Sequence, residues 1–472
     1  MKPPRRSPAH AEKPPRRSPA QYRNDPQRAL REDLVTQVCL EVYGAVRHDG
    51  RLADRALDYA LRSKRHLYST ERRAVAERVY ALLRRQRLVD FYAERMIRGF
   101  DALTSSRKDL YRFAVLRVHA GEDPSVVARD LSLPGTDVNM LKTLGEHTPA
   151  LERLKPVERL AIEGSLPDFL AKRLAKELGP EAMEAAAAMN ERAPLTARVN
   201  TLKITREDLL RRLEKDSVDA RPTPLSPFGV FLETRVNVYS LPTFKEGLFE
   251  VQDEGSQLLG MLVDAPPRKV VDACAGAGGK ALQLAAQMKN KGDLYALDVD
   301  QRRLDDLKLR ARRAGAHNIR VQAIGKGPEA LEQTTALHQA VERVLVDAPC
   351  SGSGTYRRNP DARYRLDEAA VADHVARQKE LLGRFATFVK PKGRLIYGTC
   401  SLLTEENEDV VRDFLKTHPD FELAPAGTWL GPELAEKTTR DGMLRLYPHR
   451  HGTDGFFGAV LVRQAAGTTP KA

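Results

Sequence analysis

Two thiols sit in small-residue loops, each behind an apolar run. Val341-Glu-Arg-Val-Leu-Val346 leads into Asp347-Ala-Pro-Cys350-Ser-Gly-Ser-Gly354. About fifty residues later, Arg394-Leu-Ile-Tyr397 leads into Gly398-Thr399-Cys400-Ser401. Each run reads as a buried strand, so an acid and two thiols fall at the carboxyl ends of strands of one sheet, where open α/β sheets place their ligands. Ser351, Gly352 and Gly354 let backbone approach a flat substrate closely. The pattern predicts a site that uses sulfur.

A second cluster lies upstream. The short strand Lys269-Val-Val-Asp272 runs into Ala273-Cys274-Ala275-Gly276-Ala277-Gly278-Gly279-Lys280, and the next strand, Leu294-Tyr-Ala-Leu297, ends in Asp298. A glycine turn after one strand and an acid after the next is the layout that binds an adenosine ribose, the acid accepting from both hydroxyls. The glycines alone are weaker. They follow neither the spaced G-x-G-x-x-G nor the P-loop pattern, and a turn that packs helix on strand needs them too. A third stretch, Arg357, Arg358, Arg363 and Arg365 with Tyr356 and Tyr364 interleaved, suits a phosphate track. Its other reading is a solvated loop.

The elements that must position these groups are helical first and α/β later. Residues 1–30 repeat Lys-Pro-Pro-Arg-Arg-Ser-Pro-Ala and hold too little apolar surface for a core, which predicts a disordered basic tail. Over 31–150, apolar stripes recur at helical spacing. They are Leu34, Val38 and Val42; then Val75, Val79 and Leu82/Leu83 in a helix expected over Glu71–Leu88 with Ser69 or Thr70 as cap; then Leu110, Phe113, Ala114 and Val118. Cys39, inside such a stripe, reads as an inert buried thiol. A helix follows from Asp168 to Gly179-Pro180. Over 194–250 the strand Ala197–Leu202, a helix capped by Thr205 with Asp208, and the strand Val230–Leu232 make a small α/β module. A helix after the basic segment turns Val371, Val375, Leu382 and Phe385 inward, with Gln378 on its polar side and Pro391 as its stop.

The totals bound the reading. The 472 residues allow several domains, and no apolar run reaches the length of a membrane span. The amino terminus lacks the apolar segment of a secretory signal. Four cysteines without disulfide or zinc spacing point to free thiols in a reducing cytoplasm, and no metal is expected. The formal charge is +13, of which +7 falls in residues 1–31. That excess fits a polyanionic partner such as RNA as well as it fits a solvated basic surface.

Together the strings Asp272–Lys280, Asp347–Gly354 and Thr399-Cys-Ser401 resemble the NOL1/NOP2/Sun family of RNA cytosine-5 methyltransferases. Arg357-Arg-Asn-Pro-Asp361 and Asp454-Gly-Phe-Phe457 match as well, so the likeness runs over about 250–465. Residues 31–150 resemble the NusB-like helical domain of the family's bacterial ribosomal-RNA branch. Arg198-Val-Asn200 and Gly247–Asp253 resemble the module before its catalytic core.

The resemblance implies an α/β, Rossmann-like methyltransferase domain over 251–466. Before it come an all-α NusB-like RNA-binding domain over 31–150 and linker helices with a small α/β module over 151–250. It implies S-adenosyl-L-methionine as cofactor, held by Cys274, Ala275, Gly276, Ala277, Gly278, Gly279, Lys280, Asp298 and Asp347. The implied substrate is RNA, small-subunit (16S) ribosomal RNA first and transfer RNA second. An assembly factor that binds RNA without turnover is a further alternative. No DNA or membrane partner is expected, and the chain is expected to act as a monomer.

Carbon 5 of cytosine is a poor nucleophile. A thiolate that adds to carbon 6 turns the ring into an enamine able to take a methyl group. By resemblance Cys400 is that thiolate, Asp347 hydrogen-bonds ring N3, Lys280 positions Asp347 or the base, and Cys350 assists elimination. Arg357, Arg358 and Arg363 then face RNA. DNA cytosine-5 methyltransferases use the thiol of a Pro-Cys motif, which would promote Cys350. Thr399-Cys-Ser401 and the helical domain argue for Cys400. Two positions depart from the family. Gly276-Ala277 replaces the usual Ala-Pro, and the loop after the third strand, through Gly327, lacks the acid expected to meet adenine.

Overall fold

The computed structural model describes residues 30–465 apart from Arg235 and Pro328 and the side chain of Leu331. The tail expected over 1–30 therefore lies, but for Leu30, outside the described residues. Two compact units divide at Leu151/Glu152.

The first unit is helical. Its longer elements are α1 (Glu32–Arg47), α2 (Ala53–Ser63), α3 (Ser69–Arg84), α4 (Gln86–Met96) and α5 (Ser105–His119). Most of the stripes seen in the sequence lie in its core: Val38, Val42, Val75, Val79, Leu82 and Phe113 are buried, while Leu34, Leu110 and Val118 are half-buried. Cys39 is buried with them, donates weakly to Val75 O at 3.7 Å, and is pushed by burial up to about 12, so it is an inert thiol. The helix expected over 71–88 breaks at Arg85, because Leu88, Val89, Phe91 and Tyr92 form a second buried face that a straight continuation could not turn inward. Ser69 and Thr70 do not cap it. Glu71 reaches back to Tyr68 N at 2.8 Å and pairs with Arg31.

The second unit holds two sheets. Helices α6 (Pro156–Glu163), α7 (Asp168–Leu178) and α8 (Ala182–Asn190) lead into β1 (Thr196–Val199), α9 (Arg206–Lys215), β2 (Ala220–Pro222), β3 (Gly229–Leu232) and β4 (Phe249–Val251). These strands form an antiparallel sheet in the order β2-β3-β1-β4. Thr205 caps α9, accepting from Asp208 N at 3.1 Å.

The larger sheet starts after α10 (Glu254–Val263). Its parallel part is β5 (Lys269–Asp272), β6 (Asp293–Asp298), β7 (Ile319–Ala323), β8 (Val341–Asp347) and β9 (Val389–Thr399), in the order β7-β6-β5-β8-β9. Helices α11 (Gly279–Gln287), α12 (Gln301–Ala314) and α13 (Glu368–Ala386) connect the strands. Antiparallel strands β10 (Phe421–Ala424), β11 (Thr439–Arg440), β12 (Met443–Leu446) and β13 (Phe456–Arg463) complete the edge beyond β9. This is the α/β, Rossmann-like architecture.

Side chains alternate across the sheet with the two-residue period of a strand. Val270, Leu345 and Ile396 join Leu258, Leu259 and Leu262 of α10 in one core. Val271, Val344, Val346 and Tyr397 join Leu382 and Phe385 of α13 in the other. Both faces are thus covered, as a parallel sheet requires. The chain runs from β5 outward through β6 and β7, then crosses to β8 on the other side. The crevice at that reversal lies between the carboxyl ends of β5 and β8, which end in Asp272 and Asp347.

Pro391 does not stop α13. The helix ends at Ala386, and Pro391 lies on an exposed stretch of β9, where the register with β8 shifts between Val341 and Arg343. The small sheet belongs to the same compact unit as the large one. Asn200 Nδ2 donates to Ala314 O at 2.7 Å, Lys203 Nζ to Arg313 O at 2.6 Å, and Glu250 pairs with Arg310 and Arg313.

Candidate active site

The two thiols meet. Cys350 Sγ and Cys400 Sγ are 3.4 Å apart, brought together by the parallel pairing of β8 with β9, which sets Asp347 beside Gly398. The hydrogen bond to Cys400, followed by burial, raises Cys350 well above the ordinary thiol range. The two sulfurs share one hydrogen bond, and the upward shift favours the protonated form of Cys350.

Lys280, in the first turn of α11, places Nζ 2.6 Å from Asp347 Oδ2. Burial alone would lower the lysine. The charge and hydrogen bond of Asp347, with Asp272 and Cys400 nearby, outweigh it and raise the group. Lys280 is thus held charged between the acid and the thiols.

Asp272, at the end of β5, was not among the residues singled out in the sequence. It is buried, and burial followed by the charge of Asp347 pushes it up to about 7. The Cys274 backbone N–H comes near it, but neither carboxyl oxygen has a well-formed hydrogen bond. A buried acceptor without a donor is costly and marks a place where a ligand donor fits.

The glycine-rich turn is built as a cradle. Gly276 and Gly278 have φ of +52° and +86°, which glycine adopts without strain. A Cβ on Gly276 or Gly279 would meet open space, whereas one on Gly278 would lie 2.0 Å from Leu307 Cδ1. Asp298 holds the turn from the next strand, its Oδ2 accepting from Gly276 N at 2.8 Å. Arginines hold the turn from behind. Arg310 Nη1 donates to Ala277 O at 2.7 Å, and the buried Arg198 of the small sheet donates to Gly279 O at 2.9 Å. These bonds supply the stiffness that Gly276-Ala277 forgoes by lacking proline. Cys274, raised by burial, is an inert thiol, so its part in the cradle is its backbone.

The loop after β7 is not without an acid. Glu329 folds back so that its Oε1 accepts from Gly327 N at 3.0 Å and fills the space beside Gly325, where a Cβ would lie 2.2 Å from that oxygen.

Residues 261–462 match the model of the RsmB/F 16S rRNA methyltransferases, and residues 166–239 match the ferredoxin-like domain of RsmF/B-like proteins. A probable ribosomal RNA small subunit methyltransferase B of Synechocystis sp. is 31% identical over 428 residues, covering 86% of this chain and 94% of that protein. Its counterpart in Bacillus subtilis is 35% identical over 66% of this chain and 70% of that protein. The chain belongs to this family. A solved methyltransferase homolog from Pyrococcus horikoshii, 31% identical, superposes with a TM-score of 0.56 over 66% of this chain and all of that one.

The methyltransferase uses S-adenosyl-L-methionine, and the residues present fit it. Gly276 and Gly279 leave room at the turn, Asp298 stands at the neighbouring strand end, and Asp272 offers acceptors to a cationic ligand.

The expected phosphate track needs correction. Arg363 is fully buried and donates to Gly164 O at 2.8 Å, to Met189 O at 3.2 Å and to Asn190 Oδ1 at 2.7 Å, so it fastens its loop to the linker helices. Arg357 is buried against Asp454 Oδ1 at 2.6 Å and Gly452 O at 2.8 Å. Arg358, 30% exposed, bridges Asp454 and Asp253. Tyr356 is buried too. A cluster of arginines reads as an RNA surface only while its acids, distant in sequence, go unseen. Gln378 also changes place. It is buried, and its Nε2 donates to Pro349 O and Glu406 Oε1, both at 3.0 Å.

Proposed function

We propose that this methyltransferase methylates carbon 5 of a cytosine in small-subunit ribosomal RNA, through a covalent bond between Cys400 and carbon 6. The observation that carries the reading is the pair of thiols 3.4 Å apart beside the Lys280–Asp347 pair at the strand ends. A single thiol would serve many reactions. Two, in hydrogen-bond contact with each other, suit a step in which sulfur adds and later leaves.

Cys400 adds to carbon 6 as its thiolate, and ring N3 takes a proton passed from the Lys280 ammonium through Asp347 as charge builds there. The enamine carbon 5 then takes the methyl group that S-adenosyl-L-methionine supplies. Loss of the carbon 5 proton to water re-forms the double bond and expels Cys400 as a thiolate, and Cys350 assists this elimination by hydrogen-bonding the leaving sulfur. Reading Cys400 as nucleophile is supported by its Thr399-Cys-Ser401 setting and by Cys350 lying against it at 3.4 Å. The relatives' names support ribosomal RNA as substrate. Similarity to the Synechocystis protein covers more of the chain than the second unit contains, so it enters the helical unit, which we read as the NusB-like RNA-binding domain.

Bisulfite sequencing of total RNA with and without the gene tests the reading. One ribosomal cytosine is expected to lose its protection. Loss confined to transfer RNA would replace the substrate, and no loss anywhere would remove the reaction. Cys350→Ala is expected to accumulate a covalent protein–RNA adduct that Cys400→Ala does not form, and the opposite result would exchange the roles of the thiols.

A further inference from the structure

Behind the two thiol loops lies a carboxylate that the proposed reaction does not use. Glu406, in the turn after β9, is fully buried. Its Oε1 accepts from Ser351 N at 2.8 Å and from Gln378 Nε2 at 3.0 Å. Its Oε2 accepts from Ser351 Oγ at 2.5 Å and from Ser401 Oγ. Among the described residues no lysine or arginine pairs with it. A carboxylate is a costly group to bury, and without a cation it depends on such donors for its stability.

The donors are not scattered. Ser351 follows Cys350 and Ser401 follows Cys400, while Gln378 also holds Pro349 O, on the other side of Cys350. Ser351 Oγ and Ser353 Oγ each lie 3.2 Å from Ser401 Oγ. One carboxylate therefore grips both thiol loops next to their sulfurs. The groups facing Cys350 are Cys400, Glu406 and the buried phenols of Tyr356 and Tyr397. The hydrogen bond to Cys400 and burial favour the proton on Cys350, and the nearby Glu406 carboxyl adds to them.

The geometry points to Glu406 as a positioning residue for methyl transfer: it registers the Cys350 loop against the Cys400 loop and keeps the two thiols inequivalent. The inference rests on the thiol chemistry proposed above. Glu406→Gln keeps the volume but removes the charge, and its amide sets a donor against donors.

The experiment compares the wild-type full chain with Glu406→Gln. It reads the pH dependence of Cys350 alkylation by iodoacetamide through peptide mass spectrometry. Sinefungin affinity reports whether the fold and the cofactor cradle survive. Alkylation of Cys350 is expected to begin about one pH unit lower, kcat for methyl transfer to fall about 10- to 100-fold, and sinefungin affinity to stay within about twofold. An unmoved alkylation profile with kcat within about twofold of wild type overturns the assignment. If Glu406→Gln does not bind sinefungin, Ser401→Ala removes a single donor and should move both readouts the same way by less; no movement there also overturns it. A wild-type protein that transfers no methyl group to RNA defeats the proposed function instead, while the alkylation shift still decides the role of Glu406.

Discussion

The cofactor turn and the thiol loops stand at neighbouring strand ends and are built in opposite ways. The turn over 274–280 presents backbone, leaves open space before Gly276 and Gly279, and is held from behind by Arg198 and Arg310. The thiol loops present side chains and are closed from within by Glu406, Ser351, Ser353 and Ser401. A loop that binds must leave room, so its supports come from outside. A loop that reacts must hold two sulfurs at a set distance, and hydroxyls on a buried carboxylate do that without filling the site.

Substitutions should separate the two. Cys400→Ser should lower methyl transfer by a factor on the order of 10⁴ or more while leaving sinefungin affinity unchanged, as rapid-quench assay and calorimetry would show. A comparable loss of cofactor affinity would mean that the regions are not independent. Gly278→Ala forces a side chain onto Leu307 at a positive φ and should weaken sinefungin binding about tenfold, with the alkylation rates of Cys350 and Cys400 unmoved.

Asp272→Asn sharpens the contrast, because Asp272 ends β5 next to the cofactor turn and also feels the charges of Asp347 and Lys280. The folded carboxyl titrates at about 7, above its unfolded value, so the native state binds the extra proton. Stability is therefore lost as pH rises from roughly 4 to 7, and the loss is complete above that window. The amide should stabilise the ligand-free protein at pH 8 by on the order of 2 kcal/mol in denaturant melts, with no gain at pH 4. Cofactor affinity should fall several-fold. Equal stabilisation at both pH values would show that Asp272 does not titrate as described. Glu329→Ala, which frees Gly327 N in the loop after β7, should have the smallest effect: sinefungin affinity within about twofold of wild type and no change in thiol reactivity.

Much of this was legible in the chain. Apolar runs ending in acids and glycines gave the strand ends, because strands alternate in and out and the chemistry of a parallel sheet gathers where its strands stop. The motifs around Cys350, Cys400, Lys280 and Asp298 marked the residues, since reactive groups must be of particular types. The partners of long charged side chains were not legible. Arg357 and Arg363 look like a surface until Asp454 and the carbonyls of Gly164 and Met189 close on them from far along the chain.

The sequence by itself determined the α/β sheet, a glycine-rich turn after one strand and two thiols at the carboxyl ends of strands. Those are local properties of period, glycine and residue type. Only the tertiary structure decided that the thiols touch, that Asp272 is a buried acid without a donor, that Glu329 fills the place beside Gly325, and that Glu406 binds the two loops together. Each of these depends on which distant residues share a space; the hydrogen bond and burial that raise Cys350, and the burial that raises Asp272, exist only once the chain has folded around them.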